Sequence, residues 1–130
     1  MKRVIGLGGV FIKCTDKPKL LEWYKTHLGI PAEDWGAVFR LDQTLADAPA
    51  ATNVWSLFAS DSKYFEPSEK PFMINFMVAD LHALLAALRE EGVTVLGNQD
   101  DATFGKFGWI LDPEGNKVEL WEPPATHPQL

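Results

Sequence analysis

The sequence predicts an α+β protein built from two β-α-β-β-β modules. Two observations carry this. The strand-like runs "GVFIKCTD", Gly9 to Asp16, and "MINFMVAD", Met73 to Asp80, align without a gap, aspartate on aspartate. Each leads into an apolar stripe of helical spacing, then a glycine, then further strand signals. A period near half the chain marks a duplication rather than a solenoid of short repeats.

The second helix has the plainer signal. Leu81, Leu84, Leu85 and Leu88 follow the i, i+3, i+4, i+7 spacing of an amphipathic helix, with Asp80 as N-cap and Gly92 closing it. The first helix is predicted from about Pro18 to Leu28, with Leu20, Leu21, Tyr24 and Leu28 on its apolar face. Pro18 is tolerated in a first turn, Asp16 lies just upstream, and Gly29 ends it. After the first helix the strand signals are "WGAVFRL" and "TNVWSLFAS"; after the second they are "VTVLG", "FGKFGWIL" and "KVELW". The modules are assigned to residues 1–62 and 63–130, and the stretch Ser60 to Pro71 between them, "SDSKYFEPSEKP", has linker composition. The last hairpins differ. The second has the tight "DPEGN" turn, with Pro113 preset for a turn position. The first has a longer Ala-rich connection, Asp42 to Asn53, which reads as a lid over a cleft or as a tolerated insertion.

Bulk properties narrow the function. The chain has 130 residues, 46% hydrophobic and 23% charged, as in a soluble globular protein. A formal net charge of −6 argues against general nucleic-acid binding, which needs a basic footprint. No apolar run reaches membrane-spanning length, and the N-terminus lacks the apolar core of a signal peptide. The single cysteine, Cys14, excludes an internal disulfide and fits a reducing cytoplasm. It lies in an apolar run, where a free cysteine packs as a small hydrophobe.

The duplicated layout resembles the vicinal oxygen chelate superfamily, which includes glyoxalase I, bleomycin-resistance proteins, fosfomycin-resistance enzymes and extradiol dioxygenases. The resemblance runs from about Val4 to Pro123 and rests most on "LLEWYKTHLGI", "VADLHALLAALREEGV" and "DPEGNKVELWEPP". It implies paired modules whose mixed sheet curls into a cup, with helices outside and the ligand site inside. It also implies a homodimer.

Metal-dependent members of that superfamily hold a divalent ion with side chains from the first and last strands of both modules. Carried over through the internal repeat, those positions are Gly9, Met73, Ser56 and Glu119. Glycine offers no ligand, methionine a soft thioether, and serine is a rare ligand; only Glu119 suits a zinc, nickel or iron site. His27 lies near the end of the first helix, His82 in the first turn of the second, and His127 in a Pro-containing tail. None of them completes the set. The expectation is a cup with no catalytic metal and no cofactor.

If Glu119 faces inward, strand alternation places Phe11, Met73, Asn75, Val54, Ser56, Phe58, Lys117 and Trp121 inward with it, joined by Phe107 and Trp109. Val10, Ile12, Cys14, Ile74, Phe76, Val78, Trp55, Leu57, Val118 and Leu120 then face the helices. The inward set is apolar and aromatic with a few polar groups, which is how small-molecule pockets are lined. The candidate ligand-binding residues are Phe11, Ser56, Phe58, Met73, Asn75, Trp109, Glu119 and Trp121. A buried carboxylate needs partners, and Lys13 or Lys117 could supply one as a structural salt bridge.

Three functions fit. One is a metal-free binding protein for a small aromatic, cationic or hydroxylated molecule, like the bleomycin-resistance branch. Five tryptophans and the acidic balance suit it. The second is a metal-independent lyase or isomerase related to glyoxalase I, with Glu119 as the catalytic proton-transfer base. The third is a small-metabolite sensor or accessory module.

Overall fold

In a computed structural model of the chain, residues 1–128 are described; Gln129 and Leu130, the end of the predicted tail, lie outside them. The elements are α1 (Lys17–Leu28), α2 (Leu41–Asp47), β1 (Ile74–Met77), α3 (Leu81–Glu90), β2 (Val95–Asp101), β3 (Gly105–Leu111) and β4 (Lys117–Glu122). Mixed α and β structure is therefore present, as the sequence predicts. The strands form one open sheet in the order β1-β4-β3-β2, with β1 parallel to β4 and the other pairs antiparallel.

The second half follows its sequence pattern closely. The Asp80 side chain accepts from the Ala83 amide at 3.1 Å and starts α3. Glu122, at the end of β4, accepts from the Leu81 amide at 2.9 Å and ties the helix start to the sheet. The stripe residues Leu81, Leu85 and Leu88 are fully buried on the helix-facing side of the sheet with Ile110, Val118 and Leu120. Each buried leucine contributes about 1.5–3 kcal/mol relative to an exposed one. Gly108 lets α3 sit close. A Cβ built there would lie 3.0 Å from Leu85 Cδ1 and 3.2 Å from Leu81 Cδ1.

The first half departs from the expected strand pattern. Among the described residues, no strand of the sheet precedes Ile74, and the isolated bridge Glu33–Gly36 is the nearest approach to one. A strand requires a partner for its backbone groups, and beyond that single bridge at Gly36 the runs "GVFIKCTD", "WGAVFRL" and "TNVWSLFAS" join no ladder among the described residues. Their apolar residues do not face helices: Val10, Ile12, Trp55 and Leu57 are all exposed, Trp55 to 78%. The sheet is accordingly four-stranded and open. Leu41, expected at the end of a strand, starts the short helix α2, and the loop from Asp42 to Asn53 begins inside it.

α1 forms where predicted, with Asp16 accepting from the Lys19 amide at 3.1 Å. It docks on the second half through the "DPEGN" turn. Asp112 accepts from the Tyr24 hydroxyl at 2.7 Å and from Asn116 Nδ2 at 2.7 Å. It also accepts from the amides of Glu114 and Asn116, both at 2.9 Å. Glu114 reaches across to the start of α1, its two oxygens accepting from the amides of Thr15 at 2.7 Å and Asp16 at 2.9 Å. Trp23, Tyr24 and Leu28 pack against the leucine core, and Tyr24 lies against Phe76, ring centroids 6.0 Å apart. No described helix is long and apolar enough to cross a membrane.

Candidate functional site

The site lies on the sheet face opposite α3. Register puts Asn75, Trp109 and Glu119 side by side across β1, β3 and β4, because Asn75 pairs with Glu119 and Glu119 with Trp109. Phe107 pairs with Trp121 one step along the same face. The alternation of "KVELWE" explains this. Val118 and Leu120 are drawn into the core, so Lys117, Glu119 and Trp121 must share the other side.

Glu119 is 8% exposed and well partnered. Its Oε2 accepts from the Tyr64 hydroxyl at 2.6 Å and from Trp109 Nε1 at 2.8 Å, while Oε1 accepts from Asn75 Nδ2 at 2.8 Å. The partners are thus three neutral donors, and neither lysine considered above makes a salt bridge to it. Lys117 turns instead to the Tyr64 carbonyl, donating at 2.5 Å. Its ammonium lies 5.1 Å from the Tyr64 ring centroid and 5.6 Å from that of Trp109, within cation–π range. Partial burial lowers the Lys117 pKa, against the opposing pull of Glu119.

Tyr64 is not among the residues that the sequence points to, since it sits in the stretch of linker composition. It is nonetheless the centre of the cluster. It stacks on Phe58 with centroids 5.4 Å apart and planes 23° off parallel, and meets Trp109 edge-on at 6.2 Å and 89°. Phe65 packs against Phe58 at 5.0 Å. A composition argument discards aromatic residues in such a stretch; a "YF" pair amid polar residues was the only available signal.

The other candidates fall into two groups. Phe58, Asn75, Trp109 and Glu119 are brought together. Met73, half-buried, immediately precedes β1. Trp121 lies farther along the face, donating from Nε1 to the Phe104 carbonyl at 2.7 Å and stacking on Phe107 at 6.2 Å. Phe11 is 96% exposed and Ser56 is exposed, and neither makes an aromatic or side-chain hydrogen-bonding contact with this cluster. Half-buried His27 pairs with Glu91 at 2.6 Å, and exposed His82 with Asp100 at 3.1 Å.

A divalent ion does not fit the donor chemistry. Glu119 already accepts three hydrogen bonds from protein groups, and its partners Tyr64, Asn75 and Trp109 add no imidazole, thiolate or second carboxylate beside it. Among the described residues, no group of three or more His, Cys, Asp or Glu side chains could hold a metal.

Both tyrosines are held in the phenol form. Burial, then the hydrogen bond to Glu119, pushes the Tyr64 pKa from 10.0 up to about 12. Burial, then Asp112, raises that of Tyr24 further. A raised folded-state pKa means the unfolded chain loses these protons first. The stability they contribute is complete below pH 10.0 and is lost as pH rises above it, up to about 12 for Tyr64. A spectrophotometric titration of the folded protein should therefore develop tyrosinate absorbance only well above pH 10.0, and the denatured chain near it. A folded-state transition near 10.0 would contradict the contacts described for one of the two rings.

A family model described as a glyoxalase-like domain matches residues 9–121. No curated protein matches the chain significantly. Among solved structures, a protein described only as a conserved domain protein is similar with TM-score 0.53 and 16% identity, over 92% of this chain and all of that one. A member of the glyoxalase/bleomycin resistance protein/dioxygenase superfamily from Sphaerobacter thermophilus matches with TM-score 0.50 and 23% identity, over 85% of this chain and 91% of that one. A glyoxalase family protein from Enterococcus faecalis is 26% identical with TM-score 0.37, over 50% of this chain; the match spans only about half, 52%, of its length. The family match over most of the chain makes this protein a member of the glyoxalase-like domain family, within the vicinal oxygen chelate superfamily.

Proposed function

We propose that this protein binds a small aromatic, cationic or hydroxylated molecule on the Glu119 face of its sheet, without a metal ion or other cofactor. The observation that carries the reading is the partnering of Glu119. A carboxylate has about four lone-pair sites. Two donors meet Oε2 and one meets Oε1, so one acceptor site on Oε1 is left for a ligand hydroxyl or ammonium. Trp109 and Phe58, the two rings that pack on Tyr64, supply aromatic surface beside it.

Titration of tryptophan fluorescence with aromatic cations, phenols and neutral arenes tests this. Saturable quenching by at least one class is expected, and Glu119→Gln should weaken that ligand about tenfold, as for a lost hydrogen bond to a charged acceptor. No quenching across the panel would overturn the reading.

The working unit is a homodimer. Phe11, Trp55, Leu57, Val54 and Val10 are all large apolar residues left exposed in the single chain, and exposed apolar surface of this kind is what a protein partner covers. Strand β1 is also a sheet edge, a natural pairing site. A second copy covers both. Gel filtration with light scattering should give twice the chain mass; a monomer at all concentrations would contradict it.

A further inference from the structure

We propose that the seat filled by the Tyr64 side chain is a binding site for phenolic ligands, with Tyr64 as its built-in occupant, displaced when ligand enters. The inference rests on the reading that the Glu119 face binds small molecules, and it names their class.

Besides the ring of its chain neighbour Phe65, 6.4 Å away, four contacts hold the Tyr64 side chain, and each of the four is a contact that any phenol could make. Its hydroxyl donates to Glu119 Oε2 at 2.6 Å. Its ring stacks on Phe58, meets the edge of Trp109, and carries the Lys117 ammonium 5.1 Å from its centroid. A free phenol presents the same hydroxyl and the same electron-rich faces. The one contact specific to the backbone is the bond from Lys117 Nζ to the Tyr64 carbonyl.

The segment that carries Tyr64 is built to let go. No strand or helix includes it. Its own hydrogen bonds are local turns: Ser62 to Ala59 at 3.0 Å, Glu66 to Lys63 at 3.1 Å and Ser68 to Phe65 at 2.9 Å. The turns at Glu66 and Ser68 survive if residues 61–68 swing outward; the Ser62–Ala59 bond and the Phe65–Phe58 contact are what the movement gives up, leaving Phe58 in place as a wall of the seat. Tyr64 remains 40% exposed, so the seat can be reached from solvent.

The seat also discriminates. A carboxylate accepts from a hydroxyl but gains nothing from a methyl ether. An ammonium already over the ring favours a neutral, electron-rich arene and repels an arylammonium. Of the aromatic, cationic and hydroxylated ligands open to the Glu119 face, the hydroxylated aromatic is the one these contacts select.

The test titrates the full chain with p-cresol, its methyl ether and benzylamine, read by tryptophan fluorescence. It compares the unmodified protein with Tyr64→Ala and Tyr64→Phe, each checked for folding by circular dichroism. Saturable binding of p-cresol is expected, about tenfold tighter in Tyr64→Ala because the internal competitor is gone. Tyr64→Phe, which keeps the ring but frees the acceptor, should fall between, and it carries the comparison if Tyr64→Ala fails to fold. The ether and benzylamine should bind at least about tenfold more weakly than p-cresol. Affinity for p-cresol that stays within about twofold on Tyr64 replacement would overturn Tyr64 as occupant. Benzylamine or the ether binding as well as p-cresol, or p-cresol failing while another class in the wider panel binds, would overturn the phenol class and leave the small-molecule reading standing. Failure of every compound would remove both.

Discussion

Replacing Asp112 with alanine is expected to destabilise the protein by about 3–5 kcal/mol, the summed cost of lost bonds to a carboxylate and of donors left without partners. Asp112 is 5% exposed and accepts from four donors: the Tyr24 hydroxyl, Asn116 Nδ2 and the amides of Glu114 and Asn116. It therefore closes the turn between β3 and β4 and anchors α1 with one side chain. Removing it leaves the half-buried Tyr24 hydroxyl and the amide group of Asn116, itself 5% exposed, without that acceptor. A domain of this size holds about 5–15 kcal/mol in all, so the loss should appear as a large drop in the urea midpoint. Tyr24→Phe removes one of the four bonds and should cost about 1–2 kcal/mol. A loss below about 1 kcal/mol for Asp112→Ala would show that the turn closes without it.

The second large effect is expected at Gly105, the first residue of β3. Its φ is +103°, and a Cβ there would run into the carbonyl oxygen of Glu122, with Pro124 N and Cδ only 3.2 Å away. The obstacle is backbone on the neighbouring strand, so no side-chain rotation relieves it. Gly105→Ala should cost about 3 kcal/mol or more, adding displacement of the β3–β4 ladder to the strain of positive φ. Gly115 provides the control: its φ is +78°, but a Cβ there meets nothing within 4 Å. Gly115→Ala should cost only the conformational strain, about 1 kcal/mol. Equal losses at the two positions in thermal unfolding would mean that the Glu122 carbonyl moves aside freely.

The second half of the chain was largely legible, because its signals are local. The leucine stripe with Asp80 and Gly92 specifies α3, and the two-residue period of "KVELW" separates Val118 and Leu120 from Glu119 and Trp121. The face of Trp109 followed once its strand was paired in register. The first half was not legible in the same way. Its runs have strand composition, but a strand is completed by a partner, and β-propensity largely describes a residue's fit to a neighbouring surface. α2 is seven residues long and has only Leu41 and Leu45 at helical spacing, both exposed, too short a pattern to announce a helix. The site was half visible. Glu119 stands out in the sequence as the one acid on a mixed, largely apolar and aromatic face, whereas Tyr64 reaches it across 55 positions of chain, a distance that composition does not register. In sequence Glu114 belongs to a local turn; its partners, Thr15 and Asp16, are 99 and 98 positions away.

That last contact makes the β3–β4 turn and the head of α1 one mechanical piece. If the hairpin tip lifts, it takes with it the acceptors of two amides at the far end of the sequence. Thr15 and Asp16 thus act as reporters: their hydrogen-exchange rates read out the opening of a turn almost a hundred residues downstream, without any probe being placed in it.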